Sequence, residues 1–175
     1  MASVDELFGK QMTWPRLIMK FGVETILAWN FYSYATEHRP DWDCFATDKK
    51  QPNGAVGENM TEIFTQVIYT GFIIALVGAC LSFLEIINKK VGNKQLTTLA
   101  GIGDTLVGLA AFGWLMWATY ERLRKNGAIC SGATTNVNSE MEPYAYEQGA
   151  FLACILVLMY VVPPTLFIAT NCGCL

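Results

Sequence analysis

Four long apolar stretches most constrain what this chain can fold into. They cover about residues 17–35, 63–87, 99–120 and 149–169. Each is close to or above the roughly 20 residues that a helix needs to cross about 30 Å of hydrocarbon. The connections between them are short and leave little chain for a soluble domain. The pattern predicts one all-α domain over residues 1–175, an integral membrane bundle of four up-and-down helices with two outer loops.

The composition agrees with a lipid-facing surface. Hydrophobic residues make up 53% of the chain and charged residues 15%, whereas soluble domains carry about 25% charged residues. The net charge is only −3 and no basic run is present, so we do not expect nucleic-acid binding. Asp5 and Glu6 stand where a cleavable signal peptide needs basic residues, which predicts that the first span is an uncleaved insertion signal.

Lysine and arginine predict the orientation. The loop after the second span holds Lys89, Lys90 and Lys94 without an acid, whereas the two longer loops mix their basic residues with aspartate and glutamate. We therefore predict cytoplasmic termini in a plasma, secretory-pathway or vesicle membrane, with the two longer loops outside. Arg122 and Arg124, just after the third span, argue for the opposite orientation.

The cysteines divide by position. Cys44 and Cys130 lie in the two outer loops, at similar distances beyond the ends of neighbouring spans. A disulfide between them is expected in an oxidising compartment, and two free thiols are the alternative. Cys80 and Cys154 lie within apolar spans and are predicted to be small core residues.

Two further modifications are considered from the sequence. Cys172 and Cys174, in the final Cys-Gly-Cys-Leu, are candidates for lipidation, with palmitoylation favoured over prenylation and an unmodified tail as the alternative. Asn59 opens the glycosylation sequon Asn-Met-Thr on the predicted outer side. Because it adjoins the second span, we predict that it is not glycosylated.

Four ionisable residues fall within the spans, where such groups are rare and usually paired or functional. They are Lys20, Glu24, Glu85 and Asp104. Glu85 precedes Lys89 by one helical turn and Glu24 follows Lys20 by one turn, so both could form pairs within a helix. Asp104 has no such neighbour, which predicts an interhelical contact with Lys20; an ion or proton pathway is the alternative.

Small residues predict the helix-packing surfaces. They recur at turn spacing in the second and third spans, where they allow helix backbones to approach closely in lipid. We expect these two helices to form the tight centre of the bundle through Gly71, Ala75, Ala79, Gly103, Gly108 and Ala111.

The chain contains no phosphate loop, dinucleotide fingerprint, zinc-protease motif or nucleophile elbow, and it has a single histidine. We therefore expect no enzyme activity, no cofactor and no metal site. Four spans with cytoplasmic termini, two outer loops and a disulfide-competent cysteine after the third span resemble tetraspan membrane proteins of the MARVEL type. The segment Arg124-Lys-Asn-Gly-Ala-Ile-Cys130-Ser-Gly132 is similar to the Gly-x-Val-Cys-Ser-Gly stretch after the third span of some tetraspans. That resemblance implies a role in membrane organisation.

The leading hypothesis is a structural tetraspan that self-associates laterally to scaffold or shape a membrane. Its expected partners are membrane lipids and copies of itself. One alternative is an accessory subunit of a larger respiratory or photosynthetic membrane complex, with other membrane subunits as partners. A channel or transporter is the third hypothesis, supported by Glu24, Asp104 and the Pro163-Pro164 pair in the fourth span.

Overall fold

A computed structural model describes residues 13–36, 45–46, 58–130 and 145–171. These residues are almost entirely helical. In chain order the elements are α1 (Trp14–Thr36), β1 (Phe45–Ala46), β2 (Glu58–Asn59), α2 (Met60–Val91), α3 (Lys94–Leu123), α4 (Lys125–Cys130) and α5 (Ala145–Asn171).

The four long helices coincide with the four apolar stretches and extend a few residues beyond each end. Among the described residues, α2 and α3 are long and apolar enough to cross a membrane. At about 1.5 Å per residue, a helix of thirty residues is about 45 Å long, which exceeds the roughly 30 Å thickness of a hydrocarbon layer. The α5 helix continues through Pro163 and Pro164.

The chain divides into two compact units. The first, unit one, consists of Met1–Glu37 and Ile68–Trp114. Its described part packs residues of α1, α2 and α3 around aromatic rings. Phe31 meets Trp114 edge to face, with 5.3 Å between the ring centroids. Gly71 lies against both rings, because a Cβ there would be 3.1 Å from each.

The turn between α2 and α3 is fixed by its side chains. The Asn88 carbonyl oxygen Oδ1 accepts the Asn93 N–H at 3.1 Å, and its Nδ2 donates to Thr97 Oγ1 at 2.8 Å. Gly92 adopts a φ of 73°, the left-handed conformation that favours glycine after a helix C-terminus. Asn93 then caps α3 by accepting the Gln95 N–H at 2.9 Å. The sequence Asn-Lys-Lys-Val-Gly-Asn thus ends one helix and starts the next.

The second unit, unit two, consists of His38–Val67 and Leu115–Leu175. Its described core contains the fully buried side chains of Met60, Phe64, Val67 and Leu152. The strands β1 and β2 pair antiparallel, and α4 contacts both β1 and α5. Asn59 caps α2 by accepting the Glu62 N–H at 3.1 Å, which gives the sequon asparagine a structural role.

Two predictions about side-chain placement are wrong. Cys80 and Cys154 are exposed on their helices and are not core residues. The reason is that the outer face of a membrane-type helix is as apolar as its inner face, so hydrophobicity does not locate the core. Gly108, expected at the tight helix contact, is likewise exposed, and no atom lies within 4 Å of a Cβ placed there.

Candidate functional site

The main polar site of unit one is an interhelical charge cluster. We use this name for Lys20 and Glu24 on α1, Glu85 on α2 and Asp104 on α3. Lys20 Nζ donates to an Asp104 carboxylate oxygen, the contact expected from the sequence, and to Glu85 Oε2 at 3.4 Å. The three side chains are 19% to 24% exposed. One ammonium group therefore bridges all three helices.

Glu24 occupies a notch on α2 that sequence reasoning missed. Its Oε2 accepts a hydrogen bond from Ser82 Oγ at 2.5 Å. Its Oε1 lies 3.0 Å from where a Cβ of Gly78 would be. Gly78 and Ser82 are one helical turn apart, so together they form the space and the donor for this carboxyl group. The four-residue spacing was visible in the sequence, but it indicated only backbone packing.

The charge cluster replaces the pairs expected within single helices. Among the described residues, Glu85 contacts Lys20 and not Lys89, and Glu24 contacts Ser82 and forms no ion pair with Lys20. Lys89 Nζ lies 5.6 Å from the centroid of the Trp14 ring. The carboxyl groups thus point toward the interior of unit one, where they connect different helices. Within the described ranges, no group of three or more acids, cysteines or histidines is arranged to hold a metal ion.

We expect Ser82→Ala to destabilise unit one by about 1–2 kcal/mol, because Glu24 loses its hydrogen-bond donor in a largely apolar setting. Denaturation in mixed detergent micelles measures this change. Thr105→Ala is the matched control, since this exposed hydroxyl only donates to the Gly101 carbonyl oxygen of its own helix. Equal effects of the two substitutions would contradict a specific role for the Ser82 contact.

Unit two contains a second polar cluster. The sequence did not show that its residues lie together. Glu121, 9% exposed, pairs with Arg124 at 2.5 Å and accepts from Trp117 Nε1 at 3.2 Å. Arg122 Nε donates to the Gly149 carbonyl oxygen at 3.0 Å. These contacts join the end of α3 to α5 and explain why three charged residues stand directly after an apolar stretch.

Cys130 at the end of α4 is buried and disulfide-bonded. Cys44, its predicted partner, lies outside the described residues, so this pairing stays a prediction. The described residues are compatible with it, because α4 contacts β1 and β1 begins directly after Cys44. The candidate lipidation sites Cys172 and Cys174 also lie outside the described residues.

The α3 helix has a more open apolar surface than α2. Only 11% of its most apolar segment is buried, against 33% for α2. Gly108 and Gly113 are also exposed, and a Cβ at either would meet no atom within 4 Å. Within unit one, its large side chains with exposures of 43% to 65% are Leu99, Ile102, Leu106, Leu109 and Phe112.

Comparison with known proteins finds no matching family model, no similar curated protein and no similar solved structure.

Proposed function

We propose that this chain is a non-enzymatic, four-helix membrane protein that associates laterally with copies of itself to scaffold or shape a membrane. Its termini are cytoplasmic in this proposal, as in tetraspan proteins of the MARVEL type. The proposed location is the plasma membrane or a secretory-pathway or vesicle membrane. The observation that carries the proposal is the open apolar surface of α3, with its two exposed glycines.

Glycine inside a helix costs about 1 kcal/mol relative to alanine. In unit one, Gly71 and Gly103 offset this cost by close packing. A Cβ at Gly71 would be 3.1 Å from the Phe31 ring, and a Cβ at Gly103 would be 2.9 Å from Leu81. Gly108 and Gly113 have no such contact within the subunit. Small residues at membrane helix interfaces allow close approach of another helix. We therefore assign each of these two glycines to an intermolecular contact. Because five residues separate them, they face directions about 140° apart and would meet different neighbours.

A second copy is the simplest occupant of this surface. The exposed α3 residues Leu106, Leu109 and Phe112 offer no charge that would select a different partner. A contact between two α3 helices is self-complementary and stops at a dimer, whereas a contact between unlike faces continues into a ring or array. A Cβ placed at Gly22 on α1 would also meet no atom within 4 Å. We therefore take this side of α1 as the second face of such a contact.

The charge cluster favours a structural role over conduction. Lys20 is in direct contact with two of the three acids, which holds α1, α2 and α3 together. An accessory subunit of a larger complex remains the alternative function, because the α3 surface could equally cover a different membrane subunit. A channel or transporter has less support, since the cation that fills the cluster belongs to the chain itself.

We expect Gly108→Leu combined with Gly113→Leu to abolish oligomers without unfolding the subunit. A Cβ at either position has no atom within 4 Å, whereas the larger leucine side chain blocks close approach of a neighbour. The oligomeric state is measured by native mass spectrometry in mild detergent and by single-molecule photobleaching in nanodiscs. Cys154→Leu is the matched control, because it enlarges an exposed small residue on α5.

Gly22→Leu separates the two geometries of association. Loss of large assemblies with retention of dimers indicates a second interface on α1, whereas no change indicates association through α3 alone. A wild-type chain that is monomeric in both detergent and nanodiscs would contradict self-association and favour the accessory-subunit alternative.

A further inference from the structure

At one end of unit one, the described residues include basic side chains without acids. The described segments 13–23 and 86–103 contain no aspartate or glutamate. Their lysine and arginine residues are Arg16, Lys20, Lys89, Lys90 and Lys94. Lys20 is held by the charge cluster, whereas Arg16, Lys90 and Lys94 are exposed and form no ion pair with any described residue.

Contacts within unit one bring these basic residues to one place. Lys89, in the last turn of α2, lies over the ring of Trp14, the first residue of α1, at 5.6 Å from its centroid. Arg16 follows Trp14 in the first turn of α1. Lys90 and Lys94 flank the α2–α3 turn, which Asn88 and Asn93 hold in a fixed conformation. The start of α1 therefore lies beside a rigid basic turn.

The surroundings match the chemistry of a lipid headgroup. Trp14 is 39% exposed, and tryptophan at the end of an apolar helix is typical of the membrane interface. Basic residues at that level attract phosphate and carboxylate groups of anionic lipids. A soluble anion would meet the same charges, but it would lack the acyl chains that contact the exposed Ile18 and Met19 on α1.

We propose that Arg16, Lys90, Lys94 and the Trp14–Lys89 pair form a binding site for the headgroup of an anionic phospholipid. The proposal relies on the membrane insertion proposed above, but not on self-association. The phosphate lies between the first turn of α1 and the α2–α3 turn, where Lys90 and Lys94 supply opposite charge. The neighbouring acyl chains lie along the exposed apolar face of α1.

The test measures lipid binding by the purified full chain in detergent, by native mass spectrometry during titration with phosphatidylserine. We expect tighter binding of phosphatidylserine than of phosphatidylcholine, weakening as salt increases. Lys90→Gln and Lys94→Gln should each weaken binding about fivefold, the equivalent of about 1 kcal/mol for each basic residue. The single variant Lys49→Gln is the charge-matched control and should bind like the wild type.

Three results would overturn the proposal: equal binding of the two lipids, an equal loss in the control, or inorganic phosphate displacing phosphatidylserine at similar concentrations. The last result would identify a site for soluble anions. Self-association does not affect this readout, because the mass of each species identifies both its subunits and its bound lipids. A monomer that binds phosphatidylserine selectively would support this site while contradicting lateral assembly.

Discussion

Gly127→Ala is expected to prevent correct folding of the α3–α4 corner. A Cβ at this position would lie 1.8 Å from the Glu121 carbonyl oxygen and 3.2 Å from that of Arg122. These are backbone atoms, so no side-chain rotation relieves the overlap. We expect a loss of more than about 4 kcal/mol, in the range reserved for severe structural conflicts. Thermal denaturation in mild detergent and the yield of folded protein measure the effect.

Gly113→Ala is the control for this substitution. It also replaces a helical glycine, but its Cβ meets open space, so we expect a gain of about 0.5–1 kcal/mol from helix propensity. The rate at which mild reductant opens the Cys130 disulfide adds a local readout, because displacement of α4 should expose Cys130, which is buried in the wild type. A Gly127→Ala variant as stable as Gly113→Ala would show that the corner is built differently.

Lys20→Met should produce the second large effect. It leaves Asp104 and Glu85 without the ammonium group that contacts both, in a unit whose surroundings are mostly apolar. Removing one partner of a mostly buried ion pair typically lowers the free energy of unfolding by about 3–5 kcal/mol. Because these groups are partly exposed, we expect a loss of about 3 kcal/mol. Unfolding in mixed micelles measures the loss.

A second substitution tests the cause. Asp104→Asn in the Lys20→Met background removes one of the uncompensated charges and should restore part of the stability, so the two changes are not additive. Lys94→Met removes an exposed cation that forms no ion pair with a described residue, and we expect an effect within about 0.5 kcal/mol. Equal losses for Lys20→Met and Lys94→Met would contradict a structural role of the charge cluster.

The helices could be predicted from the sequence because long apolar runs leave few alternatives. The contact of Lys20 with Asp104 could also be predicted, since Asp104 has no basic neighbour in its own helix. The Ser82 contact could not, because a serine in an apolar run is equally compatible with backbone packing. The helix ends extend past the apolar runs because Asn59 and Asn93 supply capping groups beyond them.

The small-residue spacing predicted only part of the contacts between helices. Gly103 is packed against Leu81, whereas Gly108 meets nothing within 4 Å. Five residues rotate a helix by about 500°, so these two glycines face directions about 140° apart. They cannot both contact the same neighbouring helix. The residue type shows which positions allow another helix to approach closely. Whether a given position is in contact depends on where the neighbouring helices lie.

The sharing of Lys20 by two other helices has a consequence for biogenesis. In the proposed membrane insertion α1 emerges before α2 and α3, so the two carboxylates that Lys20 contacts in the folded unit, Glu85 and Asp104, are not yet available. The rigid α2–α3 turn means that these two acids arrive together as one helical hairpin. If the chain inserts as proposed, the charge cluster therefore becomes complete only when the third helix is made. Until α2 is made, Glu24 is the one carboxylate of the cluster that has been synthesised with Lys20, and a chain that ends before α3 lacks the ionic contact between α1 and α3.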